Sequence, residues 1–179
     1  MSPTSSGPQR AGKAWVYEGD IRVPLIVKLP GPVKAGLTLE EPVISTDVYP
    51  TILALAGLPL RPEQHVDGVS LKPLLTGAKE ALEREAIYFH YPHYHHINTM
   101  GPAGAVRMDD YKLSEVFETG AVELYNLSDD LGETKDLAAS MPELTAKLTK
   151  MLHDWRDDSG AIMTTKNPDY KAENDWRNH

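Results

Sequence analysis

The clearest periodicity in the chain lies toward its C-terminal end. Leu144, Leu148, Met151, Leu152 and Trp155 recur at helical spacing and form one apolar stripe, with Lys147, Lys150, Asp154 and Arg156 on the wet side. Ser140 stands ready to cap this helix, and Glu143 three residues on completes a capping box. Upstream the pattern changes to short runs of strand character at Ala86–Tyr91, Ala103–Met108, Tyr111–Phe117 and Glu123–Asn126. Asp109-Asp110 and Thr119-Gly120 separate the last three, the stretch 128–132 closes them, and Asp109-Asp110 suits a tight hairpin.

The first half reads differently. Residues 1–10 are rich in Ser, Pro and Gly and predict a loop. Val23–Leu29 is apolar on both faces and ends at Pro30-Gly31, which predicts a short buried strand. Ser45-Thr46-Asp47 supplies N-cap candidates for a helix over Val48–Ala56, with Pro50 in its first turn and Gly57 as its stop. Pro59 and Pro62 keep the next stretch extended, and Ser70–Leu75 precedes a break at Gly77. Beyond Gly160 a polar tail follows.

Composition narrows the function classes. The 179 residues carry a formal net charge of −8, which argues against nucleic acid as a partner because phosphate binding needs a basic surface. No apolar run approaches the roughly 20 residues of a membrane span. The absence of cysteine removes disulfides and thiolate metal sites, and leaves localisation unread.

Five ordered blocks then carry a resemblance. Gly12-Lys13-Ala14-Trp15-Val16-Tyr17-Glu18-Gly19-Asp20-Ile21-Arg22-Val23-Pro24 is similar to the G-K-x-x-x-Y-E-G-G-x-R-x-P block of the type I sulfatases, within the alkaline-phosphatase-like superfamily. Residues 45–57 resemble their D-x-x-P-T segment, and Asp67-Gly68-Val69-Ser70-Leu71-Lys72-Pro73-Leu74-Leu75 their D-G-x-S-L-x-P-L-L. Arg107–Leu113 resembles R-x-G-D-Y-K-L, and Glu123–Thr134 resembles E-L-Y-N-L-x-x-D-P-x-E. The resemblance implies an α+β fold: the end of an α/β sulfatase domain over residues 1–80, then a four-stranded antiparallel sheet packed on the C-terminal helix over 81–160, and a polar tail over 161–179. It also implies a C-terminal portion that lacks the family's nucleophile and calcium ligands, so that formylglycine-dependent hydrolysis by the chain alone is not expected.

Lys13 is the leading site candidate. An ammonium beside a sulfate ester stabilises the negative charge that grows during hydrolysis, and the resemblance assigns this lysine a sulfate contact. The competing reading is a solvated lysine. Glu18, Gly19 and Arg22 read as structural, Arg22 pairing with a carboxylate to set the loop that carries Lys13. Asp20 replaces a family glycine, which matters if the backbone there needs positive φ. Ser6–Arg10 fits a bare S-x-P-x-R modification pattern, but Gln9 stands where a small residue is wanted.

His90, His93, His95 and His96 alternate with tyrosines. His90 and His93 are candidates for substrate contact at a pocket rim, as the resemblance suggests. His93, His95 and His96 are candidates for zinc or another divalent metal, which neutral imidazoles suit. A purely structural role also stays open. Asp47 is a helix cap or an active-site carboxylate. Three functions follow: a sulfuric ester hydrolase portion without its own turnover, a free-standing metal-dependent phosphate or sulfate ester hydrolase, or a non-catalytic binding or assembly module. If the chain is active, a small anionic ester is the expected substrate. Freed from a parent sheet, Val23–Leu29 would expose apolar faces and an unpaired edge, which predicts a homo-oligomer.

Overall fold

The computed structural model describes residues 6–31, 33, 35–96, 98–171, 173 and 175. They form two compact units, Met1–Val23 with Ala86–His179, and Pro24–Glu85. The division falls at residues 23/24 and 85/86 rather than at one point near residue 80, because the N-terminal segment buries its side chains on the sheet of the C-terminal part.

The first unit is built on strands β1 (Ile87–Tyr91), β2 (Ala103–Met108), β3 (Tyr111–Val116) and β4 (Val122–Asn126), an antiparallel meander in sequence order. The Asp109-Asp110 hairpin forms, with Asp109 in the left-handed region at φ 52°. Alternation sorts the side chains onto two faces. Val106 of β2, Leu113 of β3 and Leu124 of β4 form one row, fully buried against Leu148 and Leu152. The last two lie on the C-terminal helix, Pro142–Ser159 in the chain. Each buried leucine contributes roughly 1.5–3 kcal/mol. Tyr88 stacks on Trp155 from the same helix, with ring centroids 5.0 Å apart.

The other sheet face is covered by residues 11–18. Val16 packs with Ala103, Ala105 and Phe89, and Tyr17 with Tyr125 and Leu127. A single helical turn, α1 (Glu18–Ile21), ends this segment. The architecture is therefore α+β, with a sheet between an N-terminal strap and a C-terminal helix.

Two expectations fail here. Ser140 and Glu143 make no capping box: the helix starts at Pro142 with Met141 before it, and the Ser140 hydroxyl bonds the Leu137 carbonyl instead. Proline has no N–H to cap and its φ suits the first turn. Val23–Leu29 is not a buried strand. It is extended but unpaired, with Val23 73% and Ile26 89% exposed. A strand needs neighbours for its backbone groups, and all four strands of the described residues belong to the sheet of the first unit.

The second unit holds a 3₁₀ turn at Ser45–Asp47, then α2 (Val48–Leu55) and α3 (Lys72–Leu75); the C-terminal helix is thus α4. Gly57, at φ 71°, ends α2 as its sequence predicts. Among the described residues no helix is long and apolar enough to cross a membrane.

Candidate functional site

Lys13 is exposed at the tip of a tight loop whose neighbours are buried. The loop has an unusual backbone: Ala11 and Ala14 take φ values of 59° and 77°. Each such alanine costs about 1–2 kcal/mol, so the surroundings must hold the conformation. Three hydrogen bonds do so at close range. The Ala14 amide donates to Asp20 Oδ2 at 3.1 Å, the Asn98 side-chain amide donates to the Ala14 carbonyl at 2.6 Å, and the Gly19 amide donates to the Arg10 carbonyl at 2.9 Å.

Asp20 therefore needs no glycine-like backbone. It sits in α1 outside the left-handed region, and its carboxylate does local work that glycine could not. Gly19 is required for a different reason: a Cβ there would lie 2.3 Å from the Arg10 carbonyl oxygen.

Beneath the loop lies a buried charge cluster. Lys112 Nζ, fully buried on the strap side of β3, is 3.0 Å from Glu18 Oε1 and 2.9 Å from Glu133 Oε1. The other oxygen of Glu133 accepts the Glu18 backbone amide at 2.7 Å. Arg22 reaches Glu18 Oε2 only at 3.9 Å, a partly exposed pairing in the sense its sequence predicts. Burial, the largest influence, raises the Glu133 pKa despite the nearby ammonium. Around this cluster Arg10 lies 3.8 Å over the Tyr17 ring and donates to the Tyr125 hydroxyl at 2.7 Å, while Tyr17 donates to Glu123 at 2.6 Å. Burial and the Glu123 carboxylate push the Tyr17 hydroxyl far up, so it stays a donor. Arg10 is thus an anchor of the strap.

The histidines are not brought to one point. His95 and His96 stack with centroids 4.3 Å apart, and His93 is exposed with its ring edge-on to Tyr91. His90 turns to the α4 face, between Phe117 and Trp155, with Nε2 2.9 Å from the Ile162 carbonyl. Among the described residues no group of three or more His, Asp or Glu side chains could hold a metal ion. His93, His95 and His96 do not form such a group. What does join Lys13 to the histidine loop is Asn98. Its side chain, 1% exposed, bonds the Ala14 and Gly101 carbonyls and receives the Met100 amide, while its backbone bridges to His95.

In the second unit Asp47 is fully buried and acts as a clasp. Its oxygens accept the Ile44 and Val69 amides, each at 2.9 Å, and Arg84 Nη1 at 2.7 Å. Thr51 continues the seam, donating to the Asp47 carbonyl and accepting the Leu71 amide. Gly68 permits the approach, since a Cβ would sit 2.3 Å from the Thr46 carbonyl oxygen. Asp47 is more than a cap. An open depression beside it is lined by Thr46, Tyr49, His65 and Asp67.

Every block of the resemblance thus supplies a buried residue at a specific place. The sequence model of the C-terminal region of N-sulphoglucosamine sulphohydrolase matches residues 11–158. The chain belongs to this sulfatase family.

A sulfatase of Formosa agariphila is 36% identical over 169 residues, covering 87% of this chain and 30% of that protein. Human arylsulfatase A is 36% identical over 155 residues, covering 87% and 28%. Among solved structures, Ps i-CgsB in complex with k-i-k-neocarrahexaose superposes with a TM-score of 0.70 at 30% identity, over 83% of this chain and 32% of that one. The phosphonate monoester hydrolase of Silicibacter pomeroyi gives a TM-score of 0.56 at 25% identity, over 73% and 28%. The chain spans about a third or less of these relatives.

Of the residues that build this loop and the cluster beneath it, the sequence singles out Lys13 and Glu18 but not Lys112, Glu133 or Asn98. Lys112 alternates with Tyr111 and Leu113 on a strand, a pattern that ordinarily puts a lysine in water. The one available signal was its place inside a family block.

Proposed function

We propose that this chain provides the substrate-contacting arm of a sulfuric ester hydrolase, with Lys13 as the anion contact and the exposed His93 loop as part of the rim. One observation carries the reading: Lys13 is the exposed tip of a loop whose adjacent residues are buried and hydrogen-bonded on three sides. A loop backbone fixed before the substrate arrives limits the reorganisation needed to bring the Lys13 ammonium to the ester oxygens, where it stabilises developing charge. A small anionic ester is the ligand class, and the similarity to sulfatases and to a phosphonate monoester hydrolase supports it.

The arm binds without turning over. Formylglycine and calcium supply the bond-breaking chemistry in the family, and the described residues offer no donor set for the ion. His90, taken up by packing on Trp155 and Phe117, is left out of the rim.

The test uses the 179-residue chain with inorganic sulfate and 4-nitrophenyl sulfate. Saturable binding should weaken at least about tenfold in Lys13→Ala, the loss of one charge-assisted contact, and no 4-nitrophenol should be released. Binding indifferent to Lys13→Ala would overturn the anion contact. Steady, enzyme-proportional release would overturn the absence of turnover.

A further inference from the structure

We propose that Glu18 is a positioning residue for Lys13, acting through a buried ammonium on the far side of the strap. The proposal rests on the anion contact proposed for Lys13. The backbone on either side of Lys13 is strained. Ala11 and Ala14 flank Lys13 in the left-handed region, and neither alanine stays there unless the chain is fixed on both sides. On the N-terminal side the fixture is Arg10, bonded to Tyr125 and to the Glu133 carbonyl. On the C-terminal side it is Glu18.

Glu18 is 2% exposed, although an isolated carboxylate would not tolerate that environment. What makes the burial possible is Lys112, which projects from β3 into the strap, with Glu133 completing the cluster from the loop after β4. The Glu18 amide is bonded to the same Glu133. The strap is therefore pinned at one residue by both its backbone and its side chain. Asp20, two residues on, then holds the Ala14 amide. The route from buried charge to the Lys13 backbone runs Lys112, Glu18, α1, Asp20, Ala14, and every joint is a hydrogen bond or one helical turn. Lys13 itself makes no part of the cluster, so its own chemistry is unchanged when the cluster is altered.

This separates Glu18 from the residues that only stabilise the sheet. Removing its carboxylate leaves the Lys112–Glu133 pair intact under the strap. The sheet and α4 keep their contacts, while the loop around Lys13 is freed to relax its two left-handed alanines.

The experiment is amide hydrogen exchange by NMR on the full chain, combined with inorganic sulfate titration, for wild type, Glu18→Ala, Glu18→Gln and Lys13→Ala. In Glu18→Ala the Ala14 and Gly19 amides should exchange about tenfold faster or more, as expected for loss of one charge-assisted hydrogen bond. The Val106, Leu113 and Leu124 amides of the sheet should keep their protection. Sulfate affinity should fall with the loop, by about the same factor. Glu18→Gln keeps an oxygen for Lys112 and should recover part of both effects, and it serves as the test variant should Glu18→Ala fail to fold. Unchanged Ala14 and Gly19 protection in a folded Glu18 variant overturns the positioning role. Lost protection with sulfate binding that ignores both Lys13→Ala and Glu18→Ala overturns instead the anion contact on which the proposal rests.

Discussion

The two compact units use the same device and arrive at different states. Each is stitched by a buried carboxylate shared among partners distant in sequence, Glu18 with Lys112 in one and Asp47 with Val69 and Arg84 in the other. The first unit also closes an apolar core, with Val106, Leu113, Leu124, Leu148 and Leu152 fully buried. The second leaves Leu25, Ile26, Ile52, Leu58 and Val66 more than half exposed. Buried charges fix geometry while adding little net stability; apolar burial supplies the driving force. The first unit therefore closes a fully buried apolar core, whereas the second, among the described residues, buries only Leu71, Leu74 and Leu75 of its large apolar side chains.

The largest break in this comparison comes from Lys112→Met. It strands two carboxylates in a dry site, and losing one partner of a buried ion pair costs about 3–5 kcal/mol. Trp15 and Trp155 both lie in the first unit and Trp is absent from Pro24–Glu85, so tryptophan fluorescence in urea reports that unit. A shift of the midpoint by less than the equivalent of about 1 kcal/mol would show that the ammonium is not the cluster's keystone. Arg84→Met should be milder, because Asp47 keeps two backbone amides; its expected cost is about 1.5–3 kcal/mol.

Glycine-to-alanine changes come next and act on both units alike. Gly19→Ala and Gly68→Ala each place a methyl 2.3 Å from a backbone carbonyl oxygen. Backbone must move, at about 1–3 kcal/mol. Gly120→Ala meets nothing within 4 Å and suffers only from its φ of 68°, so its penalty should be the smallest of the three. Urea midpoints, with exchange rates for the second unit, give the ranking directly.

How much of this was legible follows from what each element depends on. α4, the four strands and the Asp109-Asp110 hairpin rest on local periodicity and turn chemistry, and they stand where the pattern puts them. The missed capping box is a local competition, settled by Pro142 against Ser140. Val23–Leu29 read as a buried strand because its composition is that of one, but pairing is a property of neighbours, which composition does not contain. Its block singles out Lys13 as a candidate. The supports of Lys13 are not legible there: Lys112, Glu133 and Asn98 lie 99, 120 and 85 residues further along the chain, and only the folded strap makes them one structure. Asp47 was read as a cap or a catalytic carboxylate, and its role as a clasp depends likewise on residues 22 and 37 positions away.

A smaller effect is pH-dependent and confined to the first unit. Burial is the main cause that raises Glu133 above its ordinary pKa of 4.5; the Glu18 carboxylate adds to it, while Lys112 and the Glu18 amide oppose it. The folded chain thus keeps that proton to higher pH than the unfolded chain. The stability this lends is complete below 4.5 and is lost as pH rises through the folded value, with a slope of at most about 1.4 kcal/mol per pH unit for one proton. Glu133→Gln should flatten the wild-type decline above pH 4.5 in tryptophan-detected urea titrations. Parallel pH profiles for the two proteins would show that this carboxyl titrates normally.

The smallest expected change in stability belongs to the second unit and carries the most information about association. Ile26 and Ile52 are 89% and 58% exposed, so replacing both with serine removes no core contact and should alter folding by less than about 0.5 kcal/mol. Exposed apolar residues on this scale favour a covering partner, and in purified chain at high concentration the available partner is a second copy. Sedimentation should show a concentration-dependent oligomer for wild type and a shift toward monomer for the double serine variant, while Lys112→Arg in the first unit leaves the association unchanged. A wild-type monomer at high concentration would defeat the idea outright. An oligomer indifferent to both serines would move the contact to the first unit and reverse the comparison, making the well-filled half of the molecule the adhesive one.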